Sequence, residues 1–127
     1  MGKKLILLLV LFMILINFTA CSSKNKYDET ISIVYNGHFY GYENKASIGK
    51  AFDKFFKNPK WTSYGDDRPT IVGFMGIIET NDGKIGVACQ FTIYYDDTFE
   101  LEKVILGQNE YLSDSEIVDL IDIIYSN

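Results

Sequence analysis

Lys84-Ile85-Gly86-Val87-Ala88-Cys89-Gln90-Phe91-Thr92-Ile93-Tyr94-Tyr95 is the stretch whose reading decides the fold. Ile85, Val87, Cys89, Phe91, Ile93 and Tyr95 alternate with Gly86, Ala88, Gln90, Thr92 and Tyr94. A period of two puts the first set on one face of a strand and the second set on the other. One apolar face and one small or polar face is the pattern of an antiparallel sheet covered on a single side. Just upstream, Asn81-Asp82-Gly83 is hairpin chemistry, because Asp-Gly tolerates the positive φ of tight turns. Thr70 to Glu79 is then the partner strand. Downstream, Asp96-Asp97-Thr98 turns the chain into Phe99 to Leu106, where Phe99 and Leu101 alternate with Glu100 and Glu102. Trp61 to Tyr64 reads as a short strand ahead of the hairpin, joined to it by the loop Gly65-Asp66-Asp67-Arg68-Pro69.

Helical periodicity brackets these strands. Ser47 is an N-cap, and Ile48, Ala51, Phe52, Phe55 and Phe56 recur at helical spacing until Pro59 ends the run. Lys50, Asp53, Lys54 and Lys57 fall on the other side and are expected to face water. Near the C-terminus, Ser113-Asp114-Ser115-Glu116 is a capping box, with Leu112 and Ile117 as its hydrophobic staple. Ile117, Leu120, Ile121 and Ile124 give that helix its apolar face. Before the first helix, Ile31, Ile33 and Tyr35 alternate with Ser32 and Val34, which predicts a strand. Asn36-Gly37 predicts a turn, and His38 to Tyr42 a second short strand. The sum is an α+β two-layer sandwich: an antiparallel sheet of about four strands, with one helix before the meander and one after it.

Ile48-Gly49-Lys50-Ala51-Phe52-Asp53-Lys54-Phe55-Phe56-Lys57-Asn58-Pro59-Lys60-Trp61 resembles a module of many small bacterial lipoproteins and zinc-ribbon-bearing membrane proteins. There an "IGxAFDxFFxNPxW" helix is followed by hairpin strands and a closing helix. The resemblance covers roughly residues 31–127 and implies an envelope-facing α+β module. That group has no assigned activity, so no functional residue carries over. Lys50 departs from the acidic residue common at its position, which would complete a capping box with Ser47 and suit the positive end of the helix dipole.

The N-terminus sets where such a module would work. Met1-Gly2-Lys3-Lys4 is a short basic start, Leu5 to Ile16 is unbroken apolar sequence, and Phe18-Thr19-Ala20-Cys21 closes it. The run is too short for a comfortable transmembrane helix, which takes about 20 apolar residues. It is similar to a bacterial lipoprotein signal, with Phe18 in place of the usual Leu. The resemblance implies cleavage before Cys21 and a diacylglycerol on its thiol, two acyl chains being what stable anchoring takes. Three parts are therefore expected: a signal peptide at 1–20, a polar tether at 21–30 and an α+β domain at 31–127. The chain would face outward from the cell membrane.

Removing residues 1–20 leaves 10 basic and 17 acidic side chains, unevenly spread: 7 and 4 before residue 61, then 3 and 13. An acidic balance argues against a nucleic-acid partner, which needs clustered Lys and Arg. No cofactor motif is present. With Cys21 lipidated, Cys89 has no disulfide partner and reads as a small buried hydrophobe. The single histidine, His38, has no nucleophile placed near it in sequence. Asp66-Asp67 and Asp96-Asp97 lack EF-hand spacing, so no metal is assigned. Lys50, Lys54 and Lys57, at i, i+4 and i+7, form a candidate basic face for anionic headgroups or wall polymer. Tyr35, His38, Phe39, Tyr40 and Tyr42 are the densest aromatic cluster, of which Tyr40 and Tyr42 are candidates for a binding rim. The function expected is binding at the envelope through a sheet face or that rim, the partner being an envelope protein or wall polymer. The alternatives are an envelope hydrolase using surface carboxylates, or a phage- or plasmid-borne immunity lipoprotein.

Overall fold

The strand and helix signals meet in one sheet with helices on one side. The computed structural model describes residues 28–126; the signal, Cys21 and the tether lysines Lys24 and Lys26 lie outside them. In chain order come α1 (Glu29–Tyr35), α2 (Ile48–Phe55), β1 (Lys57–Ser63), β2 (Thr70–Thr80), β3 (Gly83–Ile93), β4 (Phe99–Leu106), β5 (Glu110–Tyr111) and α3 (Asp114–Tyr125). The strands form an antiparallel meander in the order β1-β2-β3-β4-β5. The architecture is α+β, as the patterning predicts; the described residues form five strands rather than about four, and three helices.

The alternation in β3 does what period two dictates. Val87, Cys89, Phe91 and Ile93 are buried, while Ala88, Gln90 and Thr92 look out from the opposite face. Across the ladder, Val72 and Phe74 of β2 pair with Phe91 and Cys89, so the same face stays apolar. In β4 the alternation would put Val104 on the wrong face after Leu101. A bulge corrects this: Phe91 pairs with Leu101 and Gln90 with Lys103, leaving Glu102 as the extra residue. Phe52 of α2 is fully buried at the centre of the core, with its ring 5.1 Å from Phe74, 5.5 Å from Phe56, 5.9 Å from Trp61 and 6.0 Å from Phe91. The sheet gives way where Phe56 presses in: a Cβ on Gly76 would lie 2.7 Å from the Phe56 Cβ, so glycine is required there.

The closing helix forms as its cap dictates. The Ser113 hydroxyl accepts from the Glu116 amide, the Glu116 carboxylate accepts from the Ser113 amide, and Ile117 and Ile124 face the core. Ser47 caps α2 by accepting from the Lys50 amide.

The structure corrects the sequence reading at several points. Ile31 to Tyr35 is helix, not strand. Asp28 caps it by accepting from the Ile31 amide, and Thr30, Ile31 and Val34 are its buried residues. Residues 28–30, expected in the tether, are therefore the cap and first two residues of α1. Asp28 also accepts from the Ser63 hydroxyl, tying α1 to the end of β1. The Ile31 amide first, and then Ser63, hold its carboxyl below the usual aspartate range. This tie is present at neutral pH and is lost as pH falls through the lowered value. His38 to Tyr42 is turn rather than strand. In the hairpin, Thr80 pairs with Gly83, so Asn81-Asp82 is the turn and the positive φ falls on Gly83. Pro59 does not stop α2, which already ends at Phe55; it sits beside Asn58 (φ 53°) at a bulge in β1, an edge strand where a missing N–H is tolerated.

Candidate binding surface

Among the described residues the three helices all pack on one side, and none of them covers the other face of the sheet. The register defines its rows. Thr62, Gly73, Gln90 and Lys103 form one, and Lys60, Met75, Ala88, Ile105 and Tyr111 the next. Small residues sit at the centre, so the face dips into a groove of about 260 Å³ lined by Tyr64, Ile71, Gly73, Met75, Ala88 and Ile105 among others. Met75 is 61% exposed and Tyr64 70%. β2 is the telling strand: Val72 and Phe74 face the core, yet the outward Ile71, Met75 and Ile77 are apolar as well. A strand apolar on both sides is the mark of a sheet covered on both faces. Here nothing in the described residues covers the second.

The residues marked out from sequence do not gather into one site. Lys50 and Lys54 stand together on α2 beside a groove of about 280 Å³ between α2 and α3. Lys45, Ala46, Ala51, Phe55, Ile124 and Tyr125 complete its lining. Lys57 is not on this face: the helix has ended, and its ammonium pairs with Glu79 at 2.8 Å on the adjacent strand. Tyr42 packs at a tilt against Tyr125 with ring centroids 4.7 Å apart and donates to Asp122, which places it near the lysine groove and apart from Tyr40. Tyr40, 97% exposed, stands apart with His38 beside a different groove bordered by Phe99, Asp114 and Ile117. Cys21 lies outside the described residues.

Two further features took other roles. Asp53, expected in water, accepts from the Trp61 indole at 3.0 Å and the Tyr35 hydroxyl at 2.5 Å. The Trp61 ring meets Tyr35 edge-on at 5.5 Å. Gly49, Asp53 and Trp61 thus all grip Tyr35, which makes the α2 phrase a packing signature and not a chemical one. Arg68 joins the two aspartate loops, donating to the Asp66 carbonyl at 2.6 Å and pairing with Asp97 at 3.0 Å.

Burial pushes the Cys89 thiol from 9.0 up to about 12, far from nucleophilic range. The carboxyls whose values move, Asp28, Glu43, Glu79, Asp96 and Glu116, all move down because hydrogen bonds favour their charged form. Sequence reasoning missed Lys45, which precedes the cap and belongs to no periodic pattern. The outward face of β2 was legible in Ile71, Met75 and Ile77, but only once the sheet was known to have one layer of helices. No family model matches the chain, and no curated protein or solved structure is significantly similar to it.

Proposed function

We propose that this chain is a lipid-anchored cell-envelope protein that works as a binding module, presenting the open sheet face to a protein partner with a complementary apolar surface. The observation that carries the reading is the outward row Ile71, Met75 and Ile77, apolar on a face that no described element covers. Such a patch is costly to leave in water, at roughly 25 cal/mol per Å² of apolar surface, and patches of this kind mark interaction sites. Around it, Lys60, Lys103, Gln90 and Thr92 supply a polar rim. The N-terminal sequence supports the anchor, with Ala20-Cys21 closing an apolar segment behind Lys3 and Lys4.

The experiment has two arms, both in native membranes. A Cys21→Ala chain should remain uncut and carry no diacylglycerol, while the wild type partitions into detergent as a lipidated protein. Processing of the variant and partitioning of the wild type that match a soluble secreted protein would refute the anchor. In the second arm, membranes are gently solubilised and the apparent size of the protein is measured. The wild type should run in a larger complex, and Tyr64→Glu/Met75→Glu, altered only at exposed positions, should run free. Identical migration of both as free protein would refute the binding face.

A further inference from the structure

Residues 28–126 hold all 17 acidic side chains of the chain but only eight of its twelve basic ones. Three of those eight, Lys45, Lys50 and Lys54, line a single groove between α2 and α3, whose floor is Ala46, Ala51, Phe55, Ile124 and Tyr125. Among the described residues none of these three lysines is in a salt bridge, whereas Lys57 and Arg68 are paired with Glu79 and Asp97. The nearby Asp122 is engaged by the Tyr42 hydroxyl and Asp53 by Tyr35 and Trp61. A cluster of ammonium groups outside any ion pair, over an apolar floor, suits an anionic amphiphile: negative charge at the rim, hydrocarbon beneath.

We infer that the Lys45–Lys50–Lys54 groove is a docking site for anionic phospholipid headgroups, which seats the helical layer on the bilayer. The inference rests on the membrane-anchor reading, since a tethered chain holds the groove at high effective concentration beside the lipid. Outside the groove the described residues carry five basic side chains against 17 acidic ones, so charge favours an approach by the lysine groove. That groove belongs wholly to α2, α3 and the loop before α2, on the covered side of the sheet. Docking there turns the open face with Met75 and Tyr64 away from the membrane, where a partner reaches it.

The test uses the purified full chain in vesicles of phosphatidylcholine alone or mixed with phosphatidylglycerol. The rate at which an amine-acylating reagent modifies each lysine is read by mass spectrometry. In the anionic vesicles at low salt, labelling of Lys45, Lys50 and Lys54 should fall by about threefold or more, with recovery near 0.5 M salt as the headgroup attraction is screened. Lys84 and Lys103, on the strands, should label alike in both vesicles. The same comparison by amide exchange should show residues 48–55 protected in anionic vesicles for the wild type and not for Lys45→Gln/Lys50→Gln/Lys54→Gln. Equal labelling in the two vesicle types, stronger protection of Lys84 and Lys103 than of the groove, or full protection in the triple variant would each overturn the inference. The readout is a difference between two vesicle compositions, so failure of the anchor reading is seen separately, in the Cys21→Ala arm above.

Discussion

Phe52→Ala is expected to lower the unfolding free energy by about 3–5 kcal/mol, the range for removing a core aromatic. Phe52 has no exposed surface, and its ring is met by Phe39, Phe56, Trp61, Phe74 and Phe91. Those neighbours come from the loop after α1, from the end of α2 and from β1, β2 and β3. They cannot all move inward together, so the cavity stays open and its cost adds to the lost transfer energy. Domains of this size have only about 5–15 kcal/mol in total, so the variant should be close to its folding limit. Phe55, half-buried at the edge of the cluster, should cost clearly less. Urea midpoints at unchanged slope measure both. A cost near zero for Phe52 would mean that the aromatic stripe of α2 does not form the core.

Gly49→Ala should also destabilise, against the usual sign. Replacing glycine by alanine within a helix normally gains up to about 1 kcal/mol. Here the new Cβ would lie 2.1–2.4 Å from ring carbons of Tyr35. That ring cannot swing aside cheaply, because its hydroxyl donates to Asp53 and Trp61 abuts it edge-on. Overpacking costs about 1–3 kcal/mol, which outweighs the propensity gain. The decisive comparison is a double-mutant cycle. With Tyr35→Ala already present, the clash is gone and Gly49→Ala should become neutral or stabilising. A gain from Gly49→Ala in the wild-type background would contradict the packing of α1 on α2.

The elements legible in the sequence were those whose signals are local and repeated. β3 carries five consecutive alternations, and α3 carries both halves of a capping box. α1 was misread because Ile31, Ile33 and Tyr35 are β-formers with an apparent period of two. The buried set is instead Thr30, Ile31 and Val34, a helical spacing that Asp28 caps. Docking on α2 and β1 overrides the propensity of so short a segment. Helical spacing puts Lys57 on the helix face if Pro59 is the stop. The chain turned two residues sooner, and a left-handed Asn58 carries it into β1. Asp53 looked solvent-facing by helical geometry alone, since nothing local reveals that Trp61 and Tyr35 will reach it. The two surfaces proposed for binding were the least legible. The lysine groove joins residues from two helices some seventy positions apart, and the open face is open because no helix among the described residues covers it.

The claim that the open sheet face is the working surface is tested most directly by its own methionine. Met75 stands 61% exposed in the middle of that face, and Tyr64 stands 70% exposed at its margin. Oxidation by a water-borne oxidant converts exposed methionine to the sulfoxide and so reports local access. The rate at Met75 is to be compared between the protein in its native membranes and the same protein purified, with Tyr40 and Tyr95, exposed and off that face, as references for general surface access. Protection of Met75 in the membranes, lost on purification while the reference tyrosines stay unchanged, is the predicted result. Equal oxidation of Met75 in both settings would contradict the account.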